Sequence, residues 1–182
     1  MAKDKKLEPR TFEQSVAKTP VATKEKFDDF NFDTPKNVVK KMLSMVDIQP
    51  NDIIMEPCAG HGSILEEFPP NNPYLAIEQD ANNCRILKSH GFSAENMDFT
   101  TYRGRKANKI FMAPPLKRFA MLLISNAWEN LVDGGQMVVL YEESLEKFFP
   151  EWLLINSKLH SVTDKYFSDN NLKMKILVAK RG

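Results

Sequence analysis

The sequence predicts an α/β domain built on a mostly parallel β-sheet with helices on both faces. Three observations predict it. Short apolar runs alternate with stretches of helical periodicity along most of the chain. Several runs, such as Tyr74–Ile77 and Met137–Tyr141, are continuously apolar, as strands buried on both faces are. A glycine-bearing turn, Glu56-Pro-Cys-Ala-Gly-His-Gly62, joins the first apolar run to the next helical segment, where open α/β sheets bind ligands.

The elements follow in order. Residues 1–28 are highly charged, with few apolar residues at any period, and read as a flexible arm; residues 29–182 read as the folded domain. Thr34 is the expected N-cap and Pro35 the first helical residue of a helix carrying Val38, Val39, Met42, Leu43 and Val46 at helical spacing. Ile53-Ile-Met55 is the first strand. Ser63–Phe68 begins a helix that Pro69-Pro70 stops. Tyr74–Glu78 is a strand, Ala81–His90 a helix ended by Gly91, and Phe92–Glu95 a short third strand. Lys109–Ala113 is a fourth strand, Phe119–Leu131 a helix, Asp133-Gly-Gly135 a turn, and Gln136–Tyr141 the most apolar strand. Ser144–Ile155 is a helix. His160–Phe167 and Lys173–Ala179 are two closing strands joined by Ser168–Asn171, and they break the alternation.

Composition narrows the function. The formal net charge is +1, so bulk electrostatics do not mark a nucleic-acid binder. No apolar run approaches the roughly 18–20 residues of a membrane span, and the first residues lack the apolar core of a secretory signal. Cys58 and Cys84 are the only cysteines and are not expected to pair, which fits a reducing cytoplasm. Two cysteines and three histidines, far apart, give no metal spacing.

The turn after the first strand carries the first chemical inference. Its glycines allow a ligand close to the backbone. Glu56 ends the first strand, where a carboxylate can take an ammonium group. Glu78 ends the next, about 20 residues on, where an acid commonly accepts two ribose hydroxyls. No phosphate-loop lysine is present, and the third glycine of the dinucleotide fingerprint is missing. Acids at successive strand ends suit a cationic, ribose-bearing ligand. Plainer readings stand beside these: Asp98 as a turn cap, His61 as a solvent-facing loop residue, His90 as a helix end, and His160 as structural.

The segments Phe30-x-Phe32-x-Thr34-Pro35, Glu56–Gly62, Ala76-Ile-Glu78, Met97-Asp98-Phe99 and Met112-Ala-Pro-Pro-Leu116 stand in the order seen in adenine-N6 DNA methyltransferases. Over roughly residues 30–180 the chain resembles this family, in particular the short methylases of phages and mobile elements. The resemblance implies a Rossmann-like class I methyltransferase fold: a seven-stranded, mostly parallel sheet with an antiparallel last strand. It implies S-adenosylmethionine (SAM) as cofactor and a bacterial or phage-infected host cytoplasm as the setting. Thr34, Pro35, Glu56 and Gly60 would lie by its methionine part, Glu78 would hold its ribose and Asp98 with Phe99 its adenine, while Phe32, Pro57, Cys58, Ala59, Gly62 and Gln79 complete the expected cofactor-binding set.

One motif departs from the family. Its catalytic loop reads Asn or Asp, Pro, Pro, aromatic; here it is Ala113-Pro114-Pro115-Leu116. The first side chain normally accepts hydrogen bonds from the target amine, and the aromatic stacks on the flipped base. Losing a positioned polar partner costs on the order of 10²–10³ in rate, and losing stacking about 1–3 kcal/mol. The Pro114 carbonyl remains as an acceptor, and Lys117 and Arg118 follow where they can meet phosphates. Arg103, Arg105, Lys106 and Lys109 fall at the amino end of a strand and read as a solvated face. Two functions therefore stand open: a methyltransferase on adenine in DNA (RNA is the lesser alternative) of low sequence specificity, and a SAM-binding pseudo-methyltransferase acting as a partner subunit, in a heteromer or a homodimer. Transfer to a protein or small molecule is a third.

Overall fold

Helix α1 (Lys36–Leu43) forms because Val38, Val39 and Met42 recur on one face, and it buries all three. A computed structural model describes residues 33–115 and 119–182; the expected arm, Phe32, Leu116, Lys117 and Arg118 lie outside them. The cap of α1 differs from expectation by one residue. Pro35 is the N-cap, its carbonyl accepting from the Val38 and Val39 N–H groups, while the Thr34 N–H donates to Ser63 Oγ at 3.1 Å.

The next elements are strand β1 (Ile54–Glu56), β2 (Tyr74–Glu78), helix α2 (Ala81–Ser89), β3 (Glu95–Asn96), β4 (Ala107–Met112), α3 (Ala120–Glu129) and β5 (Leu131–Glu142). They are followed by α4 (Glu151–Ile155), β6 (Ser157–Ser161), α5 (Lys165–Asp169) and β7 (Met174–Lys180). Short 3-10 turns cover Leu65–Glu67, Phe99–Thr101 and Glu143–Phe148.

Five expectations are corrected. Ser63–Phe68 is not a full helix but a single 3-10 turn, because Pro69 holds Phe68 extended at ψ 144°. Phe92–Glu95 is not the third strand: the Phe92 N–H caps α2 by donating to the Leu87 carbonyl at 2.9 Å across Gly91 (φ 88°), so pairing starts only at Glu95. The Asp133-Gly-Gly135 turn lies inside β5, with Gly134 at φ 76° and a register shift opposite Ala107–Lys109. Ser144–Ile155 is cut into a 3-10 turn and α4 by Pro150. His160–Phe167 is not one strand: β6 ends at Ser161, and the Asp164 side chain accepts from the Tyr166 N–H to start α5, which carries Phe167.

The strands form one seven-stranded sheet in the order β3-β2-β1-β4-β5-β7-β6. All neighbours are parallel except β7, which runs antiparallel to both β5 and β6. Two apolar clusters flank the sheet. One gathers Ile110, Met112, Ile124, Val139 and Leu177; the other gathers Met42, Ile54, Phe111, Val138 and Ile176. Successive β4 and β5 residues point to opposite clusters, which is why these strands are apolar throughout. Lys109 is not part of a solvated face. It is 8% exposed, with its ammonium 2.7 Å from Gln136 Oε1 and 3.8 Å from Asp52. The chain order reverses between β1 and β4, which opens a crevice at their carboxyl ends.

Candidate cofactor and substrate cleft

The carboxyl ends of β1 to β5, with the segments that follow them, and the start of β7 line a cleft of about 480 Å³. Its β1 wall is the turn Pro57–Gly60. Gly60 has φ 52°, and nothing lies within 4 Å of where a Cβ would stand, so the backbone is open to a ligand there. Gly62 is required for a different reason: at φ 94°, a Cβ would fall 2.8 Å from Leu87 Cδ2.

Glu78 closes β2 and organises this wall. One carboxylate oxygen accepts from the Gly60 N–H and the other from the Asp80 N–H, each at 2.7 Å. Asp80 in turn caps α2 through the Asn82 and Asn83 N–H groups. Beyond β3, Asp98 Oδ1 accepts from both the N–H and hydroxyl of Thr100 at 2.8 Å. The turn-cap reading of Asp98 therefore holds, and Asp98 also faces the cleft.

Glu56 is 2% exposed at the end of β1. The Leu65 N–H hydrogen-bonds its carboxyl, yet its Oε2 is buried without a partner. Burial holds its proton affinity well above the usual carboxylate range, and the nearby Glu78 charge adds to the effect. Burial likewise pushes the Cys58 thiol up, reinforced by Glu78, Glu56 and Asp98. Cys58 and Cys84 are both free thiols.

The structure brings Thr34, Pro57, Cys58, Gly60, Glu78, Gln79, Asp98, Phe99, Ala113, Pro114 and Pro115 to this one cleft. Pro35, Glu56, Ala59 and Gly62 do not line it: Glu56 and Gly62 are buried beside the turn, Ala59 packs toward Leu65 and Leu87, and Pro35 begins α1. Sequence reasoning missed Asp80, Asn83, Leu140, Phe167, Leu172 and Met174 on the cleft wall. Asp80 was legible as an acid two residues past the strand-end Glu78. Leu140 sits near the carboxyl end of β5, where a ligand is expected. Phe167, Leu172 and Met174 depended on α5, which the strand reading of that segment hid. Among the described residues, the cleft wall carries Glu78, Asp80 and Asp98 and no Lys, Arg or His. No three of the described His, Cys, Asp and Glu residues gather to hold a metal, and no described helix is long and apolar enough to cross a membrane.

No protein-family model matches the chain, and no curated protein sequence matches it. Solved structures do. TrmN from Thermus thermophilus superposes with a TM-score of 0.65 at 15% identity, over 84% of this chain and 50% of that one. The M protein of the type I restriction enzyme EcoKI gives 0.66 at 14% identity, over 86% of this chain and 45% of that one. An rRNA methylase from Streptococcus thermophilus gives 0.59 at 10% identity, over 80% of this chain and 95% of that one. The chain thus spans about half the length of the first two. These likenesses establish a Rossmann-like fold shared with methyltransferases, with the antiparallel β7 that the resemblance implied.

Proposed function

We propose that this chain is a SAM-dependent methyltransferase domain acting on nucleic acid, with the exocyclic N6 of adenine in DNA as target and low sequence specificity. The observation that supports it most is the continuity of the cleft. The acids closing β2 and following β3 share one cavity with Ala113-Pro114-Pro115 at the end of β4. Two of the similar solved structures, by name an rRNA methylase and the M protein of a type I restriction enzyme, point the same way.

The residues present fit such a cofactor. Glu56 Oε2 is a buried acceptor with no partner, Gly60 leaves open space, and the described wall carries three carboxylates without a basic residue. SAM, when bound, supplies an electrophilic methyl group on a cationic sulfur. Glu78 would take the ribose hydroxyls; its existing bonds to Gly60 and Asp80 already fix its orientation. Asp98 and Phe99 would hold the adenine. Gly60 and Thr34 would admit the methionine part, with Glu56 supplying negative charge behind the turn.

At the other end, the Pro114 carbonyl is the acceptor left for the target amine. Ala113 contributes only contact. Leu140, Phe167 and Met174 make the adjoining wall apolar, and such a wall excludes water from an attacking amine. Mass spectrometry of DNA from expressing cells that make no other N6-methyladenine tests the reading. N6-Methyladenine is expected, at low abundance; its absence, with the protein folded and SAM bound, contradicts it.

Ala113 favours a second reading, a SAM-binding partner subunit without transferase activity of its own. Its mark is transfer that appears only in Ala113→Asn and is absent from wild type; wild type already as active as that variant rules it out.

A further inference from the structure

We infer that cofactor binding in this cleft is proton-coupled: the incoming cation draws Glu56 into its ionised form, and one proton leaves to solvent. The inference rests on the SAM reading above and concerns Glu56 itself.

Four carboxyl groups converge from three strand ends: Glu56 on β1, Glu78 on β2, and Asp80 and Asp98 in the segments after β2 and β3. Three have their charge anchored. Glu78 accepts two backbone N–H groups, Asp80 caps α2, and Asp98 accepts from Thr100. Glu56 is different. It is 2% exposed, has one backbone donor, and keeps Oε2 buried without a partner. Of the titratable groups beside it, Glu78 repels a charge on Glu56, and Cys58, whose thiol burial keeps protonated, offers no charge to support one. No Lys, Arg or His among the described residues lines the cleft to offset them. An unpaired carboxylate in such surroundings is costly, and the group keeps its proton instead. Burial raises its proton affinity well above the ordinary range in agreement with this.

A ligand bearing an ammonium and a sulfonium reverses the balance. Placed in the cleft, it supplies the missing positive charge across the Pro57–Gly60 turn. The step balances as Glu56–COOH plus cationic ligand giving Glu56–COO⁻, bound cation and one free proton. A neutral-sulfur product such as S-adenosylhomocysteine carries one positive charge fewer, so it draws the proton less completely.

Titration calorimetry of SAM into the full chain tests this at pH 6.5, where an α-amino group of pKa about 7.7–8.0 stays protonated. Repeating it in buffers of different ionisation enthalpy counts the protons released. The expected results are net proton release, at most one per SAM bound, lower release with S-adenosylhomocysteine, and affinity that rises with pH by at most about tenfold per pH unit. Glu56→Gln, which mimics the protonated form, should bind SAM more weakly and release no proton. His61, on the same loop, pairs with Asp33 at 3.3 Å; His61→Gln should leave the proton count intact. Tight SAM binding with no buffer dependence overturns the coupling and leaves the cofactor reading standing. Release that survives Glu56→Gln and disappears in His61→Gln also overturns it. Absence of SAM binding by the wild type overturns both.

Discussion

Ala113 is the residue on which the chemistry turns. It stands at the end of β4, in the cleft, where the resembling family places an amide or carboxylate. Restoring the acceptor with Ala113→Asn should raise methyl transfer to DNA by on the order of 10²–10³, with SAM affinity unchanged, because one positioned polar group is worth about that much in rate. Steady-state kinetics with separate SAM titration checks it. Glu56 gives a second residue-scale prediction through stability. Its folded-state proton affinity lies above the ordinary carboxylate value of 4.5. The favourable contribution is therefore complete below that value and is lost as pH rises through the folded-state value. The melting temperature of wild type should fall from pH 5 toward pH 8 more steeply than that of Glu56→Gln, as differential scanning calorimetry over that range would show.

Among the elements, the turn from β1 carries the most constraint. Gly62→Ala adds a Cβ at φ 94° and 2.8 Å from Leu87 Cδ2, so chemical denaturation should show a loss of about 1–3 kcal/mol. Gly60→Ala meets no atom and carries only the backbone penalty of φ 52°, so its stability loss should be smaller. This pair shows how legibility divides. The Glu56–Gly62 motif was readable because its residue types answer to backbone geometry near the strand end. Tyr74–Glu78 was readable to the residue because a run buried among parallel neighbours has one reading. The β6–β7 connection was not readable. His160–Phe167 has strand-like composition, and only the Asp164 cap, held also by Asn37 at 2.6 Å, turns it into α5. That tertiary contact, 127 positions apart in sequence, brings Phe167 to the cleft. Proline decided two more boundaries, at Phe68 and Pro150, by local sterics that periodicity does not weigh.

At the scale of the molecule, the sheet order places Glu56, Glu78 and Asp98 on one side of the β1–β4 crevice and the Pro-Pro loop on the other. The acid side fits a cationic cofactor, and the apolar side fits a planar acceptor. A ligand binding only the folded state stabilises it by mass action, about 2.7 kcal/mol at a concentration 100 times Kd. SAM should raise the melting temperature by several degrees in a thermal-shift experiment, while NAD should not. Glu78→Ala removes the carboxylate that links the Gly60 and Asp80 N–H groups, and should abolish the SAM-dependent shift whatever its effect on the unliganded midpoint.

The most direct measurement is transfer of label from methyl-tritiated SAM to unmethylated DNA by the purified chain, run beside Ala113→Asn. Slow, adenine-directed incorporation by wild type and faster incorporation by the variant are predicted. No incorporation by either protein, with SAM binding demonstrated in the same preparation, would contradict a nucleic-acid methyltransferase.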